Sequence, residues 1–279
     1  MKKVCVITGG GSGMGLATAK ILGKENYIII AGRTIKKLEI ALEELKAEGI
    51  EAEAIVCDIS NRASVDELAQ SAKERGTISN VIHAAGMSPN MGEPRTIMET
   101  NALGTININE AFYHVMKEGS CLIDIASMAG HLIPGFILPT GNYKYSRIDK
   151  ETFIRKMMAR VNVLPRKLRS EVAYGISKNF VIWYAKTDAA KFGKKGIRII
   201  SVSPGSFETP MGEVEKNTAG AYIKYCAIKR FGYVEEIANL LAFCSSEKAG
   251  YLTGADILCD GGCVASGFNP LKKEKLNIE

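Results

Sequence analysis

The sequence predicts a single α/β domain, a doubly wound sheet of seven parallel strands with helices on both faces. Two observations carry this. Short apolar runs rich in β-branched residues alternate with amphipathic helical stretches along the whole chain. The runs also lack the polar alternation of half-exposed strands, so both their faces are covered, as in a parallel sheet. With 279 residues and 46% hydrophobic residues the chain can bury a large core.

The strands are expected at 4–7, 28–31, 54–57, 81–84, 121–126, 197–202 and 255–259. Helices are expected near 14–22, 36–48, 65–75, 98–116, 172–192 and 235–244. The rhythm breaks once, between 130 and 173. Connections of that length usually carry function or structure of their own. Within this one, Phe153, Ile154, Met157, Met158 and Val161 follow helical spacing, with Asp149 as N-cap and Pro165 as stop. Two readings of this helix stand side by side: an amphipathic helix packed on the domain, or a cover over a site or dimer surface. The domain is therefore taken as 1–268 with an insertion at about 131–173, followed by a polar tail at 269–279 that should fray.

Net charge is +6, and Lys and Arg never run longer than two, which excludes a nucleic-acid stripe. The seven cysteines are scattered, odd in number and free of a Cys-x-x-Cys pattern. They read as reduced thiols, with no disulfide frame and no metal site. The apolar run after Lys3 is too short for a signal peptide, and no run reaches membrane-spanning length. A cytoplasmic protein that avoids membranes and nucleic acid is expected.

Thr8-Gly9-Gly10-Gly11-Ser12-Gly13-Met14-Gly15 follows the first strand and opens the first helix. Glycines there permit a tight turn and let backbone N–H groups and a helix N-terminus approach a pyrophosphate. The second strand ends in Ala31-Gly32-Arg33-Thr34, without the carboxylate that binds a free ribose 2′-hydroxyl. Arg33, followed by Lys36 and Lys37, suits a phosphate monoester instead, so NADP(H) is expected ahead of NAD(H).

Tyr174 and Lys178 stand one helical turn apart on one face. A phenol titrates near ~10 in water, and a neighbouring ammonium favours the phenolate, bringing proton transfer into reach at neutral pH. Tyr143 and Tyr145 have no Lys four residues on and are candidates for the substrate pocket. Ile133, Phe136, Ile137, Leu138 and Met211 are further apolar candidates, pointing to a hydrophobic substrate.

Ser127 ends the fifth strand, Asn101 lies in Thr100-Asn101-Ala102-Leu103-Gly104, and His83-Ala84-Ala85-Gly86 closes the fourth. With the glycine loop, Tyr174/Lys178, Pro204-Gly205-Ser206-Phe207-Glu208-Thr209 and Asp260-Gly261-Gly262, the chain resembles the short-chain dehydrogenase/reductase family over roughly residues 3 to 264. The resemblance implies a Rossmann-type fold and an oxidoreductase interconverting a secondary alcohol and a ketone. It implies Tyr174 as acid/base and Lys178 as the group that lowers its pKa and binds the nicotinamide ribose. Ser127 would hydrogen-bond the substrate oxygen, and Asn101 would hold a relay water. Asp58, with Ile59 beside it, would meet the adenine. Ala84, Ala85 and Gly86 would pack on the cofactor, and Pro204, Gly205, Phe207 and Thr209 would fix the carboxamide.

His83 departs from the Asn common at that position of the family and reads as a satisfied strand residue. The spacing from Ser127 to Tyr174 is longer than in most of the family, and with Ala173–Asn179 it looks like the branch of bacterial 3α-hydroxysteroid dehydrogenase/carbonyl reductases. Gly32-Arg33 would set it apart from relatives with an acid there. Relatives commonly assemble around the helix that carries the tyrosine, so a homo-oligomer, dimer or tetramer, is expected, with the insertion altering that interface. A catalytically silent dinucleotide sensor or a sugar-nucleotide-modifying relative are the alternatives.

Overall fold

Val4, Cys5, Val6 and Ile7 are all fully buried, which a strand permits only when both of its faces are covered. They belong to β1 (Lys3–Thr8), which opens a chain alternating through α1 (Gly13–Leu22), β2 (Asn26–Gly32), α2 (Ile35–Ala47), β3 (Ala52–Val56), α3 (Arg62–Arg75) and β4 (Ile78–His83). Then come α4 (Pro94–Met98), a π-helical turn (Glu99–Leu103), α5 (Gly104–Val115), β5 (Cys121–Ile125), α6 (Ala129–Leu132), α7 (Lys150–Asn162) and α8 (Arg169–Gly193). The chain closes with β6 (Arg198–Pro204), α9 (Val234–Ser245) and β7 (Asp256–Cys259). The computed structural model describes residues 2–209, 220 and 222–267. The tail at 269–279 and Met211 lie outside them.

The strands are parallel in the order β3-β2-β1-β4-β5-β6-β7. All seven expected strands are present. Alternate residues feed two apolar layers. Val4, Val6, Val81 and Leu122 pack under α3, α5 and α8 through Leu68, Phe112 and Ala185. Cys5, Ile7, Ile82 and Ile123 face α1, α2 and α9 through Ala19, Leu38 and Leu241. Strand order reverses between β1 and β4, so a crevice opens above the carboxyl ends of those two strands.

Two regions differ from expectation. The single helix expected at 98–116 is three pieces, because the π turn admits an extra residue: the Gly104 N–H donates to the Glu99 carbonyl, five residues back. The insertion is also more ordered than a loop with one helix. It holds α6, a 3-10 segment (Thr140–Arg147), α7 and a second 3-10 turn (Arg166–Leu168). The Asp149 carboxylate caps α7 as expected, accepting from the N–H groups of Glu151 and Thr152 at 3.2 and 3.0 Å. The helix ends before Pro165.

The inner side of α7 packs on the domain. Phe153, Ile154, Met157 and Val161 meet Met98, Ala102 and Ile106 below and Ala173, Ile176, Phe180 and Tyr184 on α8. Phe153 and Phe180 lie with ring centroids 4.6 Å apart, and Tyr143 meets Phe180 edge-on at 5.3 Å. Tyr143 is therefore core, with no exposed surface, and its hydroxyl donates to Asn179 Oδ1 at 2.9 Å. This corrects its expected place in a substrate pocket. Phe136 is 76% exposed and Ile137 and Leu138 turn into the α7 cluster, so these three form no shared pocket wall. Among the described residues, no helix is long and apolar enough to cross a membrane.

Phe153→Ala leaves a cavity between α7 and α8 and is expected to cost about 3–5 kcal/mol of unfolding free energy, read by urea denaturation. A loss below ~1 kcal/mol would mean that the insertion is not part of the core.

Candidate active site

The glycine loop lies over the carboxyl end of β1 because only glycine fits there. Gly9 and Gly13 have φ of 72° and 54°. A Cβ on Gly9 would stand 2.8 Å from the Ala85 nitrogen, and one on Gly15 would stand 2.5 Å from the Gly9 carbonyl oxygen. Ser12 at the start of α1 makes no side-chain cap, and no acid occupies the first turn. The N–H groups of that turn thus keep their partial positive charge for an anion.

These residues line a cleft of about 310 Å3. Gly9, Gly11, Ser12, Gly13, Met14 and Gly15 form one wall. Gly32, Arg33, Thr34 and Lys37 form its basic rim, Ile59 and Ala84–Gly86 its floor, and Thr209 its far end. Thr8 lies beneath, its Oγ1 2.8 Å from His83 Nδ1 and accepting from the Ala85 N–H at 3.2 Å. His83 is thereby satisfied, and burial, with Lys178 adding to it, pushes its pKa down to about 3. The Asp58 carboxylate turns into the β3–α3 connection, where its Oδ1 accepts from the Ser60 N–H and hydroxyl at 2.9 and 2.7 Å. Beyond the glycine loop, Pro204 closes β6, and Gly205 packs so tightly on Asp260 that a Cβ would lie 2.6 Å from its Cα. Phe207 bridges to Gly232.

Two of the expected catalytic residues, Asn101 and Lys178, meet the lining of this cleft at Gly86. Lys178 is buried on α8, and its Nζ donates to the Ile125 carbonyl at the end of β5 at 2.8 Å. The same Nζ lies 5.9 Å from the Tyr174 ring centroid. A Cβ on Gly86 would lie 3.4 Å from Lys178 Nζ and 3.0 Å from Asn101 Oδ1, so cleft floor, lysine and asparagine meet at one point. Ser127 follows β5, and its Oγ accepts from the Ala129 N–H at 3.2 Å, leaving its hydrogen available for donation. The segment after it presses on α8 at Gly175 and Lys178, where a Cβ on Gly130 would stand 2.9 Å from the Lys178 carbonyl carbon.

The Asn101 side chain is committed. Its Oδ1 accepts from the Met87 N–H at 2.8 Å, and its Nδ2 donates to the Met87 carbonyl and Ser177 Oγ at 3.0 and 3.1 Å. It ties the β4 loop to α8. Its carbonyl, in the π turn, accepts from the Thr105 hydroxyl at 2.8 Å and has a second lone pair to offer.

Reasoning from sequence missed Asp124. It lies fully buried on β5, three residues before Ser127, with Oδ2 accepting from Asn109 Nδ2 at 2.8 Å. The signal was a lone acid inside an apolar central strand. Met91 and Thr100, which also line the cleft, carried no such signal. Burial pushes the Asp124 carboxyl up to about 7 and pulls the Lys178 ammonium down to about 8, while the charge of each works against the shift of the other.

A larger cleft of about 670 Å3 opens between α4, α7 and the start of α8. Two of the three arginines that line it are engaged: Arg95 pairs with Glu99 at 2.7 Å, and Arg169 donates to the carbonyls of Leu164 and Asn162. Neither the glycine loop nor Gly86 lines it; both line the smaller cleft.

Residues 3–140 match the family model described as short chain dehydrogenase, and residues 158–264 match one described as Enoyl-(Acyl carrier protein) reductase. The stretch between the two matches includes the first half of α7. The chain is 30% identical to sorbose reductase sou1 of Schizosaccharomyces pombe, over 93% of this chain and 95% of that protein. It is 27% identical to short-chain dehydrogenase/reductase bsc3 of Alternaria brassicicola, over 95% and 97%. The fold matches a short chain dehydrogenase from Burkholderia cenocepacia in complex with NADP, with a TM-score of 0.76 at 21% identity, covering 94% of this chain and 98% of that one.

The buried acid has a consequence for stability. Unfolded, Asp124 releases its proton near 3.8; folded, it holds it until about 7. The native state is favoured by this group below its unfolded pKa, and that contribution fades as pH rises through the folded one. Asp124→Asn should therefore gain stability relative to the parent chain as pH rises from about 4 to 7, by up to a few kcal/mol in urea unfolding. A difference that stays flat with pH would show that Asp124 titrates normally.

Proposed function

We propose that this chain, which belongs to the short-chain dehydrogenase/reductase family and is one of its NAD(P)-dependent oxidoreductases, uses NADP(H) to interconvert a secondary alcohol and a ketone. The observation that carries this reading is the meeting of Gly86, Asn101 and Lys178 where the glycine-loop cleft ends. Tyr174 stands one turn from that lysine, and the Ser127 segment packs on the same turn of α8.

The cleft fits a dinucleotide. The glycines that a Cβ would fill leave room for a pyrophosphate, and the uncapped start of α1 faces it. Arg33 and Lys37 on the rim would take the 2′-phosphate that distinguishes NADP(H) from NAD(H). Asp58, Ile59 and Ala84–Gly86 would border the adenosine and nicotinamide halves, and Pro204, Gly205, Phe207 and Thr209 the carboxamide. Once bound, the cofactor supplies or accepts the hydride.

The chain's own residues handle the proton. During reduction the Tyr174 hydroxyl donates its proton to the oxygen of the forming alcohol, and the Ser127 hydroxyl donates a hydrogen bond to that oxygen. The Lys178 ammonium, anchored to the Ile125 carbonyl through one hydrogen, has two left for the ribose and for Tyr174's side of the site. The Asn101 carbonyl would hold a water that resupplies the proton.

For the substrate, the wall next to Ser127 is apolar: Met128 clusters with Leu132, Tyr222, Tyr225 and Cys226. A bulky apolar ketone, such as a ketosteroid, suits that wall better than the sugar in the name of the fission-yeast relative. The protein is also taken as a homo-oligomer, presenting α7 over the face of α8 that the insertion covers.

Tyr174→Phe is expected to lower turnover by roughly 10²–10⁴-fold on a carbonyl panel while NADPH still binds, measured by fluorescence titration. Unchanged turnover would remove Tyr174 from the mechanism. Arg33→Ala should weaken NADPH by roughly tenfold to a hundredfold and leave NADH nearly unaffected. Equal losses for both cofactors would overturn the NADP(H) preference.

A further inference from the structure

A buried polar row crosses the sheet beneath α8. Thr8, His83, Asp124 and Ser201 are successive register partners on β1, β4, β5 and β6. Each is at most 2% exposed. All four point to the face that α5 and α8 cover, because Val6, Val81, Leu122 and Ile199, two residues before each, pack in that layer. Thr8 and His83 satisfy each other at 2.8 Å. Ser201 donates to Asp256 at 2.6 Å. Asp124 is different: Asn109 serves its Oδ2, and its Oδ1 is buried without a hydrogen-bond partner. An idle carboxylate oxygen in the interior is costly unless a charge nearby uses it. The nearby charge is Lys178, whose ammonium is held at the carbonyl of the very next residue, Ile125.

We propose that Asp124 is a positioning residue for the proton chemistry: its carboxylate is the buried counter-charge that keeps the Lys178 ammonium protonated beside Tyr174. The functional unit is then a line of three groups rather than a pair: Asp124 on β5, then Lys178 and Tyr174 on α8. This rests on the reading of Tyr174 and Lys178 as the acid/base pair.

The other groups around Asp124 do not replace it. His83 on β4 is neutral at working pH. Tyr184 on α8 is pushed up by burial and stays a phenol. Asp188 on α8 is answered by Arg147 of the insertion at 2.6 Å and by Lys191 at 3.9 Å. Asn109 on α5 and Ser201 on β6 carry no charge. Asp124 is thus the acid whose charge acts on Lys178.

The test reads Lys178 directly. Its side-chain signal in a lysine-labelled NMR titration is assigned by its disappearance in Lys178→Met. In Asp124→Asn the Lys178 midpoint should fall by about one pH unit or more, because burial alone then acts on the ammonium. In Asn109→Ala it should fall by less, since loss of the amide donor leaves Asp124 ionised for less of the range. That second variant carries the test if the first does not fold. A midpoint that stays in place in a folded variant of either kind overturns the proposal, and a purely structural role for Asp124 would leave it in place. Ketone reduction supplies the link to function. Its alkaline limb should move to lower pH in Asp124→Asn by the same amount. A limb that stays while the NMR midpoint moves would keep the Asp124–Lys178 linkage and reject the coupling of Lys178 to Tyr174.

Discussion

A lysine ammonium held out of water is the constraint on which the rest of this site depends. Lys178 reaches from α8 to the Ile125 carbonyl, so α8 must lie close against the end of β5. That approach excludes side chains along the contact. Gly130 meets the backbone of Lys178 and Asn179, Gly175 meets Ile133, and Gly86 meets Asn101 and Lys178. Asn179 closes the contact by donating to the Gly130 carbonyl at 2.9 Å. The same closeness presses the segment that follows Ser127 onto α8 at Gly175 and Lys178. Burial is therefore a requirement of the geometry, and the depressed basicity of Lys178 follows from it.

The opposite side of α8 explains the insertion. A helix pinned to the sheet along one face still presents Ile176, Phe180 and Tyr184 on another. The helix α7 covers those residues, and the aromatic cluster around Phe180 binds the two helices through directional ring contacts. Polar ties reinforce it. Arg147 reaches Asp188, and Lys150 and Arg62 share Glu110. The insertion thus supports α8 from outside.

Most of the fold was legible because its signals are local. Fully buried strands read as unbroken apolar runs, and Asp149 announced its helix through the capping chemistry that the structure contains. The break in the 98–116 helix was not legible, since nothing in Thr100-Asn101-Ala102 distinguishes a π turn from an α turn. The turn arises where Asn101 is tied to Met87 and Ser177, partners remote in sequence. Tyr143 illustrates the same limit: without a Lys four residues on it is expected in the substrate pocket, and packing by α7 makes it core.

By itself the sequence determined the strand–helix alternation, the glycine loop at the first turn and the one-turn spacing of Tyr174 and Lys178, each a property of neighbouring residues along the chain. Only the tertiary structure decided which carboxylate faces the lysine. Asp124 and Lys178 are far apart in sequence, and the influence of one charge on the other depends on the register of β5 and the seating of α8. Electrostatics in a buried site is set by distance through space and by the exclusion of water, and neither is written in the order of residues.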